Sequence, residues 1–165
     1  MWLWRAGNLS RWRKQQALNT EHVARAARDL SLRAGEQGLS LYLVENPSEI
    51  ERVCLLFAIT LRGRPRDLEY LLINRQCFDV IPSLQLLKIP VEGLHPELSE
   101  RHYEARGLTP EIALQLAEII LTRPDCEFRV LAEKRVMELA KTLVKDDPTV
   151  TPFLIGEWPS RLETA

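Results

Sequence analysis

The hexapeptide LEYLLI at residues 68–73 is the stretch on which the fold class of this chain depends. Its nearly continuous apolar run fits a helix that returns antiparallel to the helix before it. It fits equally a buried strand that completes a β–α–β unit. Periodicity does not separate the two over so few residues. The first interpretation gives helical hairpins, and the second gives an α+β fold.

The helix before this stretch has clear local signals. Asn46 is suited to the N-cap, Pro47 suits the first helical position, and Glu49 stands three residues after the cap, as in a capping box. Apolar residues then cover most of the circumference of residues 50–61. This pattern predicts the most buried helix of the chain, and Pro65 lies just beyond its end.

The order of residues 46–88, an apolar run, a turn with proline and a second apolar run, returns in weaker form at residues 109–145. A helix–turn–helix unit of this kind cannot bury its apolar face alone and has to stack on a neighbour. The internal repeat therefore predicts stacked helical hairpins. The matched positions are Ile50 and Ile112, Thr60 and Thr122, Asp67 and Asp125, Glu69 and Glu127, and Tyr70 and Phe128.

The second copy begins with Thr109-Pro110, turns at Pro124-Asp125 and continues with Phe128-Arg129 and Val130-Leu131-Ala132. In these features it resembles the repeating helical hairpins of HEAT-type and leucine-rich-variant proteins. The resemblance implies α-solenoid packing and a protein-binding role. It brings no catalytic residues with it.

We therefore expect a mostly α-helical, α-solenoid-like bundle of helical hairpins. The alternative is an α+β fold with a small sheet. In the first case a single domain spans residues 1–165, with a basic N-terminal helix in 1–35, repeated helical units at 46–88 and 109–145, and a tail at 149–165. In the second case strands lie at residues 39–44, 68–73, 127–131 and 149–155. Helical spacing also predicts helices at residues 10–34 and 97–106.

The composition is that of one ordered globular domain, with 45% apolar and 27% charged residues. Cys54, Cys77 and Cys126 are odd in number, far apart and surrounded by apolar residues, which argues against a disulfide framework or a zinc site. They favour a reducing compartment such as the cytoplasm. No apolar stretch approaches the roughly 20 residues that cross a bilayer, so we expect a soluble protein.

The net charge of -1 conceals an asymmetry along the chain. Residues 1–35 carry seven basic and two acidic side chains, a net charge of +5, so the remainder carries -6. Such an arginine-rich start fits a helix packed on the body, a segment that directs the chain to the mitochondrial matrix, or a nucleic-acid-binding surface. The residues that would contact nucleic acid are Arg11, Arg13, Lys14, Arg25 and Arg28.

A second group of cations lies in the turns of the repeat. Arg62, Arg64 and Arg66 surround Pro65, and Arg123 recurs in the matching turn. If the hairpins stack, these arginines align along one edge, where they would hold a phosphate group or an acidic peptide. We take them as the candidate partner-binding residues.

Local signatures of common enzymes are lacking, including glycine-rich phosphate loops, His-Glu-x-x-His, Cys-x-x-Cys and Gly-x-Ser-x-Gly. We accordingly expect no cofactor and no metal. One loose cluster would suit acid–base chemistry, although a solvated polar helix explains it as well. Its members are His95, Glu97, Glu100, His102 and Glu104.

These observations favour a non-catalytic scaffold or adaptor that binds a protein partner through helical hairpins. The alternative is a nucleic-acid-binding protein that uses the basic N-terminal helix. A small enzyme built on the histidine–glutamate cluster ranks third. The oligomeric state stays open.

Overall fold

The structure is a computed structural model that describes residues 1–12 and 18–163, and it shows an α+β fold on a six-stranded sheet. All five strand pairings are antiparallel. The strands are β1 (Trp2–Ala6), β2 (Leu39–Val44), β3 (Leu68–Asn74), β4 (Gln85–Lys88), β5 (His102–Arg106) and β6 (Glu127–Leu131), in the spatial order β4-β5-β2-β1-β3-β6.

Helices cover both faces of the sheet. The α-helices are α1 (Leu9–Trp12), α2 (Thr20–Leu30), α3 (Ile50–Leu61), α4 (Gln76–Asp79), α5 (Pro96–Glu100), α6 (Pro110–Thr122), α7 (Glu133–Asp146) and α8 (Trp158–Glu163). Short 3₁₀ helices span Pro47–Glu49 and Pro148–Phe153. The first core contains side chains of α1, α2, α4 and α6, and the second contains side chains of α3, α5, α7 and α8.

The central strands are buried on both sides. In β3, Leu71 and Ile73 point into the first core, whereas Tyr70 and Leu72 point into the second. A strand covered by helices on both faces shows no apolar–polar alternation. This is why residues 68–73 lack the period-two pattern that would have identified a strand.

The predicted mostly α-helical solenoid is therefore wrong, and the α+β alternative describes the fold. Strands occur at Leu39–Val44, Leu68–Asn74 and Glu127–Leu131, where that alternative placed them. The fourth proposed strand, residues 149–155, is instead largely the 3₁₀ helix Pro148–Phe153. The strand β1 was missed, because its tryptophans and arginine follow neither a helical nor a strand pattern.

The internal repeat corresponds to a helix followed by a strand, not to two helices. Residues 46–88 contain α3 and β3, and residues 109–145 contain α6 and β6, with α7 after them. The helices α3 and α6 belong to different cores on opposite faces of the sheet, so the two copies do not stack. Residues 1–12 and 18–163 therefore contain no stacked helical repeat.

Helix starts were predicted better than whole helices. The capping box at Asn46 and Glu49 is present, and Thr109 Oγ1 accepts a hydrogen bond from the Ile112 N–H at 3.3 Å. The predicted helix 97–106 is divided into α5 and β5. Of the predicted helix 10–34, residues 10–12 belong to α1 and residues 20–30 form α2, whereas residues 13–17 lie outside the described part of the chain. Within residues 1–12 and 18–163, no helix is both long and apolar enough to span a membrane.

The C-terminal segment holds the turn that follows α3. Trp158 is fully buried, and its Nε1 donates to the carbonyl oxygens of Ala58 at 3.1 Å and Arg62 at 2.7 Å. Gly156 has φ 61°, and a Cβ added there would lie 2.1 Å from the Gly63 carbonyl oxygen. The close approach of two backbones therefore requires glycine at position 156.

Replacing Gly156 tests this docking. We expect Gly156→Ala to lower the free energy of unfolding by about 2–5 kcal/mol, since left-handed backbone costs about 1–2 kcal/mol and the clash adds about 1–3 kcal/mol. Gly35→Ala is the matched control, because Gly35 has φ 88° but nothing within 4 Å of the added Cβ. Urea denaturation measures both losses. Equal losses of stability in the two variants would show that the contact between Gly156 and Gly63 does not constrain position 156.

Candidate anion-binding cleft

The ends of several elements meet at one end of the sheet, which we call the arginine end. Here β1 finishes at Ala6, opposite Tyr70 of β3, and β2 begins at Leu39. The helix α3 ends at the same place, and the end of α2 joins it, because Asp29 accepts a hydrogen bond from the backbone N–H of Asn8. The turns after α2 and α3 therefore approach each other across the edge of the sheet.

A cleft of about 860 Å³ opens at the arginine end. Ser40 and Tyr42 of β2 line it beside their cross-strand partners Glu104 and His102 of β5. Phe57 of α3 also lines the cleft, next to the cationic residues of the cleft. These cationic residues are Arg5, Arg11, Arg28, Arg33 and Arg62.

Two smaller cavities adjoin this cleft through Arg62. A cavity of about 380 Å³ is lined by Arg62, Arg64 and Arg66 together with Glu157. One of about 290 Å³ is lined by Arg62 and Arg66 together with Asp67 and Glu69. Arg62 thus borders all three concavities. The cations form one array that runs around the end of α3.

Most cations of this array have no anionic partner. Among the described residues, no carboxylate pairs with the side chains of Arg28, Arg33, Arg62, Arg64 or Arg66. Carboxylates also line the cleft, but they bind groups other than these five guanidinium groups. Glu36 accepts a hydrogen bond from the Arg33 backbone N–H at 2.7 Å. Asp29 binds Arg11 and the Trp12 Nε1–H, and Glu104 binds Arg106 Nε at 3.0 Å. The array therefore presents unneutralised positive charge.

Arg62 shows the electrostatic consequence. Burial lowers the pKa of its guanidinium, and the like charges of Arg66 and Arg33 lower it further. The guanidinium lies over the Phe57 ring, 5.4 Å from the centroid. A bound anion would relieve the repulsion between these arginines.

Arg5 is a fixed cation in the same cleft. Its two terminal nitrogens donate to the carbonyl oxygens of Ser40 at 2.8 Å and Asp29 at 2.9 Å. Burial lowers its pKa to about 10, against the opposing effect of the Asp29 charge, so Arg5 stays protonated at neutral pH. Burial also raises the pKa of Tyr42 to about 12, which keeps this phenol neutral and able to donate a hydrogen bond.

The structure brings together only some of the predicted partner-binding arginines and only some of the predicted nucleic-acid-binding residues. Arg62, Arg64 and Arg66 lie together, but Arg123 lies beyond the other end of β3, where it binds Asp125 and Gln76. It does not share an edge with them, because the repeated units do not stack.

The nucleic-acid set is divided in a similar way. Arg11 and Arg28 line the cleft, Arg25 does not, and Arg13 and Lys14 lie outside the described residues. Arg5 and Arg33 were missed as members of the site. Only the assignment of β1 as a strand and the course of the chain after α2 would have placed them there.

The predicted histidine–glutamate cluster does not form one site. His102 faces the cleft with Nδ1 2.7 Å from the Ile89 carbonyl oxygen, whereas His95 packs against Phe153. Glu100 binds Lys88 at 2.8 Å. Across the described ranges, no three His, Cys, Asp or Glu side chains group closely enough to hold a metal ion.

Glu97 belongs to an ion-pair network instead. It binds Arg52 and also lies near Arg101, which binds Glu49 at 3.0 Å. Hydrogen bonding to Arg101 lowers the pKa of Glu49 to about 2. The network joins the start of α3 to α5 and stabilises the fold away from the cleft.

Fold and cleft together define a class: an α+β protein whose two-sided antiparallel sheet ends in an arginine-rich cleft. Comparison of the chain with protein-family models, with curated proteins and with solved structures gave no match. The function therefore has to be inferred from the geometry and charge of the cleft.

The repulsion within the array is testable by mutation. Arg66→Gln should raise the free energy of unfolding by about 0.2–1 kcal/mol at low salt, the size typical of exposed charge pairs. The gain should fade near 1 M NaCl, where the screening length is about 3 Å. Arg123→Gln is the control, because its partner Asp125 makes a loss of stability the expected result. Urea denaturation at both salt concentrations measures the change, and a loss for Arg66→Gln would contradict the repulsion.

The pH dependence of stability tests the network at Glu49. Because the folded pKa of about 2 lies below the ordinary glutamate value of 4.5, Glu49 contributes stability that is present above about pH 4.5 and is lost as the pH falls toward 2. Glu49→Gln should therefore be less stable than wild type at pH 7 and nearly equal to it near pH 2. Glu118→Gln, at an exposed position of α6, controls for loss of a carboxylate. A constant difference across this pH range would rule out the ion pair as the cause.

Proposed function

We propose that this protein is a non-catalytic binding module that takes single-stranded nucleic acid in the arginine-lined cleft. The observation that carries the proposal is the convergence of five arginines without carboxylate partners among the described residues. They are Arg28, Arg33, Arg62, Arg64 and Arg66. Unpaired cations held near one another indicate that the neutralising anion is a ligand.

The arrangement of these arginines suits a polymer of phosphates. They extend from the end of α2 across Arg62 to the turn before β3, through three adjoining concavities. A single phosphate would engage one or two guanidinium groups, whereas successive phosphodiesters can meet the whole array. Arginine is well suited to this role, because its planar guanidinium forms paired hydrogen bonds with phosphate oxygens.

The shape of the cleft favours a single strand over a duplex. Proteins that read duplex DNA commonly insert a protruding helix or ribbon into a groove, whereas here the cations line a concave surface. Single-stranded ligands fit grooves that combine positive charge with aromatic side chains. Phe57, which is half-buried, lines this cleft beside Arg62, whereas Tyr42 lines it as a buried residue.

The nucleic-acid hypothesis takes a different form from the one that the sequence suggested. The five arginines of the proposed site come from the end of α2, from the loop after it and from the turn after α3. Of these five, only Arg28 belongs to the set that the sequence suggested. An acidic protein segment would meet the same arginines, so the protein-binding hypothesis is tested in the same experiment.

Binding can be measured by fluorescence anisotropy with labelled oligo(dT) and oligo(U) of about 15 nucleotides at 50–300 mM NaCl, the salt range in which phosphate contacts change affinity most visibly. We expect the logarithm of the association constant to fall linearly with the logarithm of salt concentration. Replacing Arg33, Arg62 and Arg66 by alanine should weaken binding and reduce the slope by about 2, since each phosphate contact contributes about 0.7 for single strands. Lysine at the same three positions should restore much of the slope.

The matched control is the triple alanine variant at Lys134, Lys141 and Lys145, which removes the same charge from exposed positions of α7. It should bind like the wild type. Competition separates the proposal from duplex binding and from acidic-peptide binding. Unlabelled oligo(dT) should displace the labelled strand more readily than duplex DNA or polyglutamate does. Duplex preference, polyglutamate preference or an unchanged triple arginine variant would overturn it.

A further inference from the structure

Two cysteines meet at the end of the sheet opposite to the arginine end. Cys77 lies in α4, directly after β3, and Cys126 lies directly before β6. Their Sγ atoms are 3.5 Å apart, although 49 positions separate them in the chain. The antiparallel pairing of β3 with β6 causes this approach, because Leu72 is opposite Glu127 and the next residues converge beyond them.

We propose that Cys77 and Cys126 are a redox modification site that forms a reversible intramolecular disulfide. A disulfide has an S–S distance of about 2.0 Å, so the two sulfur atoms must approach by about 1.5 Å. Both side chains are buried, with exposures of 0% and 2%. Burial favours a bond within the chain over a bond between chains, and it limits access to small oxidants.

The surroundings of the pair make Cys126 the more reactive thiol. The hydrogen bond between the two sulfur atoms lowers the pKa of Cys126 and raises that of Cys77. The backbone of Asn74 and the charge of Arg123 also lower the pKa of Cys126, whereas burial and the charge of Asp125 raise it. The thiolate is the nucleophilic form of cysteine.

Hydrogen peroxide is the class of oxidant that the pair can use. The Cys126 thiolate attacks one peroxide oxygen, the O–O bond breaks, and the other oxygen leaves as water after taking up a proton. Cys77 Sγ then attacks the sulfur of the Cys126 sulfenic acid. The S–O bond breaks, and the hydroxyl group leaves as water with the proton of Cys77. Two thiols and one peroxide give one disulfide and two waters, so the sulfur atoms lose the two electrons that the peroxide gains.

Cys54 provides an internal control. It is fully buried in the other core, where its Sγ accepts a hydrogen bond from Trp4 Nε1 at 3.1 Å. Burial raises its pKa to about 12. No other cysteine of the chain lies within bonding reach of it, because Cys77 and Cys126 belong to the first core.

The test is to treat the folded protein with hydrogen peroxide, denature it and count free thiols, which should fall from three to one. Tryptic digestion without reductant should then link peptide 76–88 to peptide 107–129, while peptide 53–62 with Cys54 stays free. The bond should raise Tm by roughly 5–15 °C, because it closes a long loop in the unfolded chain. Dithiothreitol should reverse both changes.

Cysteine-to-alanine variants test which cysteines form the disulfide. Cys77→Ala and Cys126→Ala should each abolish the linked peptide and the rise in Tm, and Cys54→Ala should retain both. The thiol count on the unaltered chain does not depend on whether these variants fold. Three free thiols after oxidation, a bond between two chains, or conversion of Cys126 to sulfinic acid without a linked peptide would overturn the proposal.

Discussion

The burial of the central strands on both faces is the constraint on which the rest of the structure depends. Trp4 of β1 is fully buried and packs against Tyr42, Phe57 and Tyr70, with ring centroids 4.6–5.9 Å away. Its neighbour Leu3 is buried in the opposite core. A sheet with two apolar faces requires helices on both sides, because either face alone would expose a large apolar surface.

This constraint also creates the arginine end. β2 and β3 flank β1 and run parallel to each other, so α3, which links them, has to run back along the sheet and finishes where β3 begins. The helix α2, which precedes β2, finishes at the same end. The carbonyl ends of helices attract cations. Arg28 and Arg62 occupy such positions at opposite faces of the sheet. The helix dipoles therefore offset part of the repulsion within the group of arginines.

Charges are arranged differently at the two ends of the sheet. At the end away from the cleft, Arg123 binds Asp125, and Arg101 binds Glu49. These pairs join separate elements or fix turns, so they serve stability. At the arginine end, five arginines lack such partners among the described residues, an arrangement that favours ligand binding over stability. They are Arg28, Arg33, Arg62, Arg64 and Arg66.

Features that depend on neighbouring residues could be predicted from the sequence. The capping box at Asn46, the Thr109 cap and the cluster Arg62–Arg66 depend on residues within a few positions of one another, and the structure contains all three. The basic character of the first 35 residues was also evident. The family resemblance misled, because a helix–turn–strand unit with a buried strand has nearly the same apolar pattern as a helical hairpin.

Only the tertiary structure decided which distant residues meet. Whether residues 68–73 form a strand depends on β1 and β6, which lie more than 50 positions away on either side. The gathering of Arg5 and Arg33 around Arg62, the separation of Arg123 from them, and the contact of Cys77 with Cys126 all follow from that pairing. By itself the sequence determined the helix caps and the charge asymmetry, because these depend on near neighbours. The strands and the site depend on long-range pairing, which no local pattern records.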